Sequence, residues 1–184
     1  VVAGRLITGP LRDLPVERIN ELANNNNRAG LKRTQIGINR ATAADGLGKA
    51  LPELRWQPLK AGGMVTRLKI TSPDALAMRV GLQLDGTDPR AELRFAGSDD
   101  PAKVVARVSA AELKRLSSMG VYWTPVTDGE AQIIEIYTPI VANAKAIKLQ
   151  IPKISHLIAD SKSGFSLAKG IGDSGTCNVD VVCR

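Results

Sequence analysis

Aromatic residues, histidine and cysteine are all scarce in this chain, and each scarcity excludes a class of function. Six aromatic side chains among 184 residues leave little material for stacking bases or sugars. One histidine and two cysteines without a CxxC spacing match no common zinc or redox motif, so we expect no metal and no cofactor. No apolar run approaches the roughly 20 residues of a membrane-spanning helix, so we expect no membrane partner. The aromatic residues are Trp56, Phe95, Tyr122, Trp123, Tyr137 and Phe165.

The net charge of +7 comes mostly from the first sixty residues, which carry ten Lys/Arg against five Asp/Glu. A basic surface of this kind suits an acidic partner or a nucleic acid. The basic residues are scattered singly, however, and form neither a basic helix nor an RNA-binding motif with interleaved aromatics. We therefore expect no nucleic-acid partner.

The most extensive pattern in the chain is an alternation of apolar and charged residues that starts near residue 62 and is typical of half-buried β-strands. Turns rich in Asp, Pro and Gly recur about every dozen residues, and strands do not alternate with helices. The pattern predicts an all-β fold, an antiparallel, jelly-roll-like β-sandwich. The predicted strands are Met64–Ile70, Met78–Leu84, Leu93–Phe95, Val104–Val108, Val121–Thr124, Gln132–Thr138 and Ala146–Ile151, with one helix at Ala110–Ser117.

Composition divides the chain into four parts. Residues 1–60 form an irregular basic arm, 61–158 the β-sandwich, 159–169 a flexible linker rich in Ser and Gly, and 170–184 a separate C-terminal segment.

The basic arm contains one predicted helix and two short strands. The helix, Pro15–Ala23, places Val16, Ile19 and Leu22 on one side, and the asparagine run at 24–27 stops it. The predicted strands of the arm are Thr34–Asn39 and Leu54–Leu59.

The chain has no recognisable catalytic constellation, so we assign no catalytic residue. His156 lies in an apolar strand and is expected to be a structural residue with its hydrogen bonds satisfied. Ser174 lies in a Gly-Asp-Ser-Gly sequence, but without the strand context that makes a serine nucleophilic. Asp99 and Asp100 are expected to be a solvated turn. A bond between Cys177 and Cys183 would close a very small loop and is geometrically demanding, and the alternative is partners beyond this chain.

The most specific motif is in the tail, where residues 169–183 read Lys-Gly-Ile-Gly-Asp-Ser-Gly-Thr-Cys-Asn-Val-Asp-Val-Val-Cys. The core Ser-Gly-Thr-Cys-Asn-Val-Asp-Val-Val-Cys resembles the first residues of mature bacterial lysyl endopeptidases, which are secreted, trypsin-fold serine proteases. This sequence departs from the family by about two extra residues between Gly170 and Gly175. Residues 68–80, 122–126 and 154–156 are similar, more loosely, to the β-rich pro-regions of such proteases.

The resemblance implies that residues 1–169 are a prodomain, which acts as an intramolecular folding chaperone and as an inhibitor released by proteolysis. Residues 170–184 would then be the start of a catalytic domain whose catalytic residues lie beyond this chain. This chain itself would not be an enzyme, whereas its parent precursor would be a serine endopeptidase. A secreted or periplasmic location follows from the same resemblance.

The resemblance also implies specific processing and cross-linking sites. The bond between Lys169 and Gly170 is the expected maturation site, with Lys162 as the nearest competitor. Cys177 and Cys183 would bridge to distant cysteines of the catalytic domain. Arg184 is what a trypsin-like nick would leave, and we expect it to be a cleavage product.

A second interpretation is a secreted β-sandwich that binds a cell-surface glycan or a protein partner. It requires clustered aromatic residues at the surface, for which Trp56, Tyr122 and Trp123 are the candidates. We expect Trp123 in the core instead.

Overall fold

Two β-sheets form the body of the computed structural model, which describes residues 7–27, 34–42, 53–86, 88–117, 120–139 and 141–162. In chain order the elements are β1 (Ile7–Pro10), α1 (Val16–Asn26), β2 (Gly37–Ala41), β3 (Gln57–Pro58), β4 (Met64–Thr71), β5 (Ala77–Asp85), β6 (Glu92–Gly97), β7 (Ala106–Ser109), α2 (Ala110–Leu116), β8 (Tyr122–Trp123), β9 (Thr127–Asp128), β10 (Ala131–Thr138), a 3-10 helix (Val141–Ala146) and β11 (Lys148–Leu157).

The strands divide into one sheet of six and one of five. The first sheet has the order β1-β4-β10-β6-β7, with β3 also paired to β4, and the second has the order β2-β11-β5-β8, with β9 also paired to β5. All pairs are antiparallel except β1 with β4, which are parallel. The predicted all-β fold is confirmed, with this one parallel pair as a departure.

The inner faces of the two sheets share one aliphatic core, as alternation in the strands requires. Within the first sheet, β4, β6 and β10 contribute side chains that are at most 2% exposed, and β5 and β11 do the same from the second sheet. The largest of these core side chains are Leu68, Ile70, Met78, Leu82, Leu93, Phe95, Ile134, Ile136 and Ile154. A sandwich arrangement of the two sheets follows from this shared core.

Segments from the first sixty residues join both sheets. β1 lies at the edge of the first sheet against β4, and β2 lies at the edge of the second sheet against β11. Helix α1 covers a small second cluster in which Leu14, Leu22 and Ile38 are buried. The boundary between arm and sandwich at residue 60 stays a prediction, although these pairings connect the described parts of the arm closely to the sheets.

Helix α1 is longer than the sequence predicts. It continues through the first three asparagines to Asn26, and Asn27 caps it with its backbone N–H on Ala23 O. Leu22 is buried as expected, but Val16 is 64% exposed because it lies in the first turn, outside the cluster. No helix in the described part of the chain is long and apolar enough to cross a membrane.

The longest strand, β11, continues six residues past the predicted end at Ile151. Its pairing with β5 shifts register between Gln150 and Lys153, so that Ile151 and Ile154 are both buried although they are three residues apart. Pro152 lies in this irregularity, where its missing N–H costs no ladder hydrogen bond. The bulge interrupts the alternation that sequence reasoning followed, which is why the predicted strand ended too early.

Candidate functional site

A tryptophan flanked by two cations lies on the outer face of the second sheet. Lys153, Gly81 and Trp123 are opposite one another on three neighbouring strands, β11, β5 and β8. Lys153 Nζ lies 5.6 Å from the centroid of the indole, and Arg79 Cζ lies 5.5 Å from it. Both distances are within the range of cation–π attraction. We call this surface, consisting of Arg79, Gln83, Trp123, Gln150 and Lys153, the Trp123 face.

Gly81 leaves room for the side chains of Val121 and Lys153 in the middle of the Trp123 face. A Cβ at this position would lie 3.2 Å from Val121 Cγ2 and 3.3 Å from Lys153 Cγ. Arg79 is held from the other side, because its Nε donates a 3.1 Å hydrogen bond to Thr124 O. Arg79 is therefore held beside the ring by a hydrogen bond, whereas the Lys153 ammonium has the contact with the indole alone among the described residues.

The two cations of the Trp123 face, Arg79 and Lys153, are not paired with carboxylates in the part of the chain that the structure describes. By strand alternation, two acidic residues lie on the same side of β5 and its neighbours: Asp85, at the end of β5 and opposite Lys148, and Asp128, opposite Ala77, which accepts hydrogen bonds from Ser161. A surface of this kind is suited to attract carboxylates on a partner.

The outer face of the first sheet differs from the Trp123 face in that its central charges are paired within the fold. Glu135 on β10 forms ion pairs with Arg67 on β4 at 2.5 Å and with Arg94 on β6 at 3.2 Å. Arg94 also pairs with Glu92 at 2.5 Å. Lys69 on β4 and Arg107 on β7 lie on the same outer face without an ion pair among the described residues. The two outer faces therefore differ in the paired charges at the centre of the first, and both carry unpaired cations.

A buried polar network fixes the segment that follows Trp123. Thr124 Oγ1 donates to Gln132 Oε1 at 2.8 Å and accepts from the backbone N–H of Val80 at 2.9 Å. The amide nitrogen of Gln132 donates to Pro125 O and to Thr127 Oγ1, both at 3.0 Å. Gln132 is on β10 and is fully buried. Its hydrogen bonds therefore connect the first sheet to the loop that follows Trp123.

Residues 161 and 162, the last that the structure describes, lie at the same sheet edge. The backbone N–H of Ser161 donates to Asp128 Oδ1 at 2.9 Å, and its hydroxyl donates to Asp128 Oδ2. These hydrogen bonds, the hydroxyl first, lower the pKa of Asp128 below its ordinary value. Lys162 Nζ in turn donates to Asp99 Oδ2 at 2.8 Å. Residues 161 and 162, at the start of the predicted linker, are therefore held against two loops of the sandwich.

His156 belongs to a second buried network and is structural, as expected from the sequence. Its Nδ1 lies 2.9 Å from Ser72 Oγ, which accepts a 2.8 Å hydrogen bond from Arg40 Nη1. Burial, and then the Arg40 guanidinium, lower the pKa of His156, and Asp74 opposes them. Ser72 and His156 are at most 1% exposed. This serine–histidine pair is closed to a substrate and connects β2, β11 and the turn after β4.

The expectation that Trp123 lies in the core is wrong. Trp123 is partly exposed on the outer face, whereas Tyr122 packs on the core beside Phe95 at a centroid distance of 6.2 Å. Alternation along β8 allows only one of the two to point inward, and the sequence does not indicate which. Lys169, Gly170, Cys177, Cys183 and Arg184 lie outside the described residues.

The turn at Asp99 and Asp100 is not simply solvated, because Asp99 pairs with Lys162. Among the residues that the structure describes, no three His, Cys, Asp or Glu side chains are grouped so that they could hold a metal ion.

The described part of the chain is a two-sheet, all-β domain with a buried serine–histidine pair and a cationic outer face. The family model of the lysyl endopeptidase N-terminal domain matches residues 10–158. The chain belongs to this family. It is 30% identical over 153 residues to a lysyl endopeptidase from Pseudomonas aeruginosa, an alignment that covers 81% of this chain and 31% of that protein. The chain thus spans about a third of the length of this relative.

Among solved structures, CsCBM6-3 from Clostridium stercorarium in complex with cellobiose aligns with 64% of this chain and 90% of its own, at 13% identity. The TM-score is 0.24, which does not establish a common fold.

Proposed function

We propose that this chain is the pro-region of a secreted lysyl endopeptidase-like serine protease, which assists the folding of the catalytic domain and inhibits it until cleavage. The observation that carries the proposal is the order of two segments in one chain. Residues 10–158 match the lysyl endopeptidase N-terminal domain, and the tail that follows them resembles the start of the mature enzyme. In this reading, the catalytic residues belong to the domain that follows.

The two-sheet body suits a folding role. Catalytic domains built from non-local β pairing fold slowly, because the entropy of loop closure is lost before the contacts form. A partner that is already folded can lower this barrier by binding the partly formed sheet better than the unfolded chain. The shared core and the polar network around Gln132 supply such a rigid body.

Covalent linkage supports the inhibitory role. A tethered domain acts at an effective concentration in the millimolar range for a short flexible linker, so weak docking suffices before cleavage. Once the linker is cut, inhibition falls to the intrinsic affinity of the two separate domains. Cleavage of the tail therefore ends the inhibition.

We place the maturation cleavage after Lys169. Its competitor Lys162 has its ammonium on Asp99, and its backbone N–H donates to Asp160 Oδ1 at 3.1 Å. A serine protease binds its substrate extended with the lysine side chain inserted into the specificity pocket. For Lys162, both of these contacts would have to break, together with the hydrogen bonds of Ser161 to Asp128.

The test is processing of precursor variants, followed by N-terminal sequencing of the mature enzyme. Lys169→Gln keeps the length of the side chain and removes its charge, so maturation should be abolished or strongly slowed. Lys162→Gln is the matched control and should mature normally. A mature enzyme that starts elsewhere than Gly170, or normal maturation of Lys169→Gln, would contradict the assigned site.

The glycan-binding interpretation loses its aromatic platform. Trp56 and Tyr122 are partly buried against the core, so of the three candidate residues only Trp123 remains on the outer face. A single ring offers one stacking position, whereas a glycan platform requires clustered rings.

A further inference from the structure

We propose that the Trp123 face is the docking surface for the catalytic domain of the same precursor, and that it binds a carboxylate-bearing patch of that domain. This inference rests on the proposed function and adds to it the surface, the partner and the chemistry of contact.

Unpaired charge beside an aromatic ring distinguishes this face from the other outer face of the sandwich. Arg79 and Lys153 have no carboxylate partner among the described residues, whereas Arg67 and Arg94 are paired with Glu135. Lys69 and Arg107 on the first sheet also have no ion pair among the described residues, but only Arg79 and Lys153 lie beside an indole. Since unpaired cations gain most from a carboxylate partner, the Trp123 face joins this attraction to an aromatic contact.

The side chains also match those that dominate protein interfaces. Tryptophan and arginine are the residue types most enriched where binding energy concentrates, and depletion of acidic groups is typical of the centre of an interface. Arg79 is preorganised by its hydrogen bond to Thr124 O and by the indole, so little side-chain entropy remains to be lost on binding.

The last described residues lie close enough to this face for a tethered catalytic domain to reach it. Ser161 is held by Asp128, which lies opposite Ala77 on β5, and Trp123 lies opposite Gly81 on the same strand. Gly81 is four positions along β5 from Ala77, a distance of about 13 Å at about 3.3 Å per residue. Lys169 is seven positions after Lys162, a stretch that can span at most about 25 Å when extended. The tether therefore has the length to reach the Trp123 face.

The test measures affinity between the purified chain and the catalytic domain, whose nucleophilic serine is replaced by alanine to prevent digestion. Lys153→Glu should weaken binding about tenfold, mainly through a slower association rate, and should reduce the salt dependence of the affinity. Trp123→Ala should weaken binding about thirtyfold. The matched control is Lys69→Glu on the outer face of the first sheet, where affinity should change by less than about twofold.

Thermal unfolding of each variant separates loss of docking from loss of fold. Lys153→Glu is the decisive variant, because this side chain is exposed and makes no hydrogen bond to the loop that Arg79 supports. Unchanged affinity in Lys153→Glu, or equal weakening by Lys69→Glu, would overturn the proposed surface while the pro-region function stands. No binding by the wild-type chain would instead overturn the proposed function.

The alternative ligand for the Trp123 face is an acidic glycan, and polygalacturonate is the probe for it. Binding of polygalacturonate that Trp123→Ala abolishes, together with protease affinity that Lys153→Glu leaves unchanged, would assign the face to glycans and overturn the proposal. Absence of polygalacturonate binding, with weakened protease affinity in Lys153→Glu, is the expected result.

Discussion

Replacing Gln132 by methionine should destabilise the protein by about 3 kcal/mol. The side chain is fully buried and takes part in three hydrogen bonds, with Thr124, Pro125 and Thr127. Each is worth about 1 kcal/mol net, and methionine of similar length fills the space without replacing any of them. For a domain of this size, about 3 kcal/mol corresponds to a fall in Tm of roughly 6–12 °C.

The assay is urea unfolding followed by far-UV circular dichroism, together with a thermal scan. The matched control is Gln150→Met, the same substitution at an exposed position on β11, where the free energy of unfolding should change by less than about 0.5 kcal/mol. Equal effects of the two substitutions would refute the assignment of Gln132 as the connection between the first sheet and the loop after Trp123. A loss confined to Gln132→Met, with an unchanged urea m-value, would support it.

Three further predictions concern the core and the tail. Stability should fall as pH decreases below about 6.5, the ordinary pKa of histidine, because the pKa of His156 is lowered in the fold and the unfolded chain then binds the extra proton. NMR titration of this single histidine should give a value under 6.5, and a value at or above 6.5 would contradict the prediction. Thr66→Val should raise the free energy of unfolding by about 1 kcal/mol in a urea titration, because the buried Thr66 hydroxyl has no hydrogen-bond partner among the described residues; a destabilised variant would show that the hydroxyl is satisfied. Asp128→Asn should speed cleavage at Lys162 relative to Lys169, because it weakens the contacts of Ser161. Mass spectrometry of limited digests measures the ratio of the two cleavage products, and a ratio equal to that of the wild-type chain would contradict the prediction.

Much of the fold follows from local alternation in the sequence. Strands β4, β5 and β10 are buried on one face and alternate regularly, and the structure places each within a residue or two of its prediction. The β11 bulge at Pro152 and the parallel pairing of β1 depend on tertiary contacts between segments distant in sequence, which local periodicity does not encode.

The candidate site was less predictable. Which of Tyr122 and Trp123 faces outward is decided by pairing with β5, where Trp123 lies opposite Gly81 and Tyr122 opposite the buried Leu82. The one usable signal was Gly81 within an apolar strand, since an isolated glycine in a strand often marks a close approach. The ion pair of Lys162 with Asp99 joins residues 63 positions apart, and no sequence motif indicates it.

The most direct measurement of the proposed role is refolding of the denatured catalytic domain with and without this chain added in equimolar amount. If the chain is a pro-region, protease activity should be recovered after its addition, and only once the added chain has been digested. The control is the Gln132→Met variant at a temperature where it is unfolded, which should not support recovery. Equal recovery of active protease with and without the wild-type chain would contradict the chaperone role.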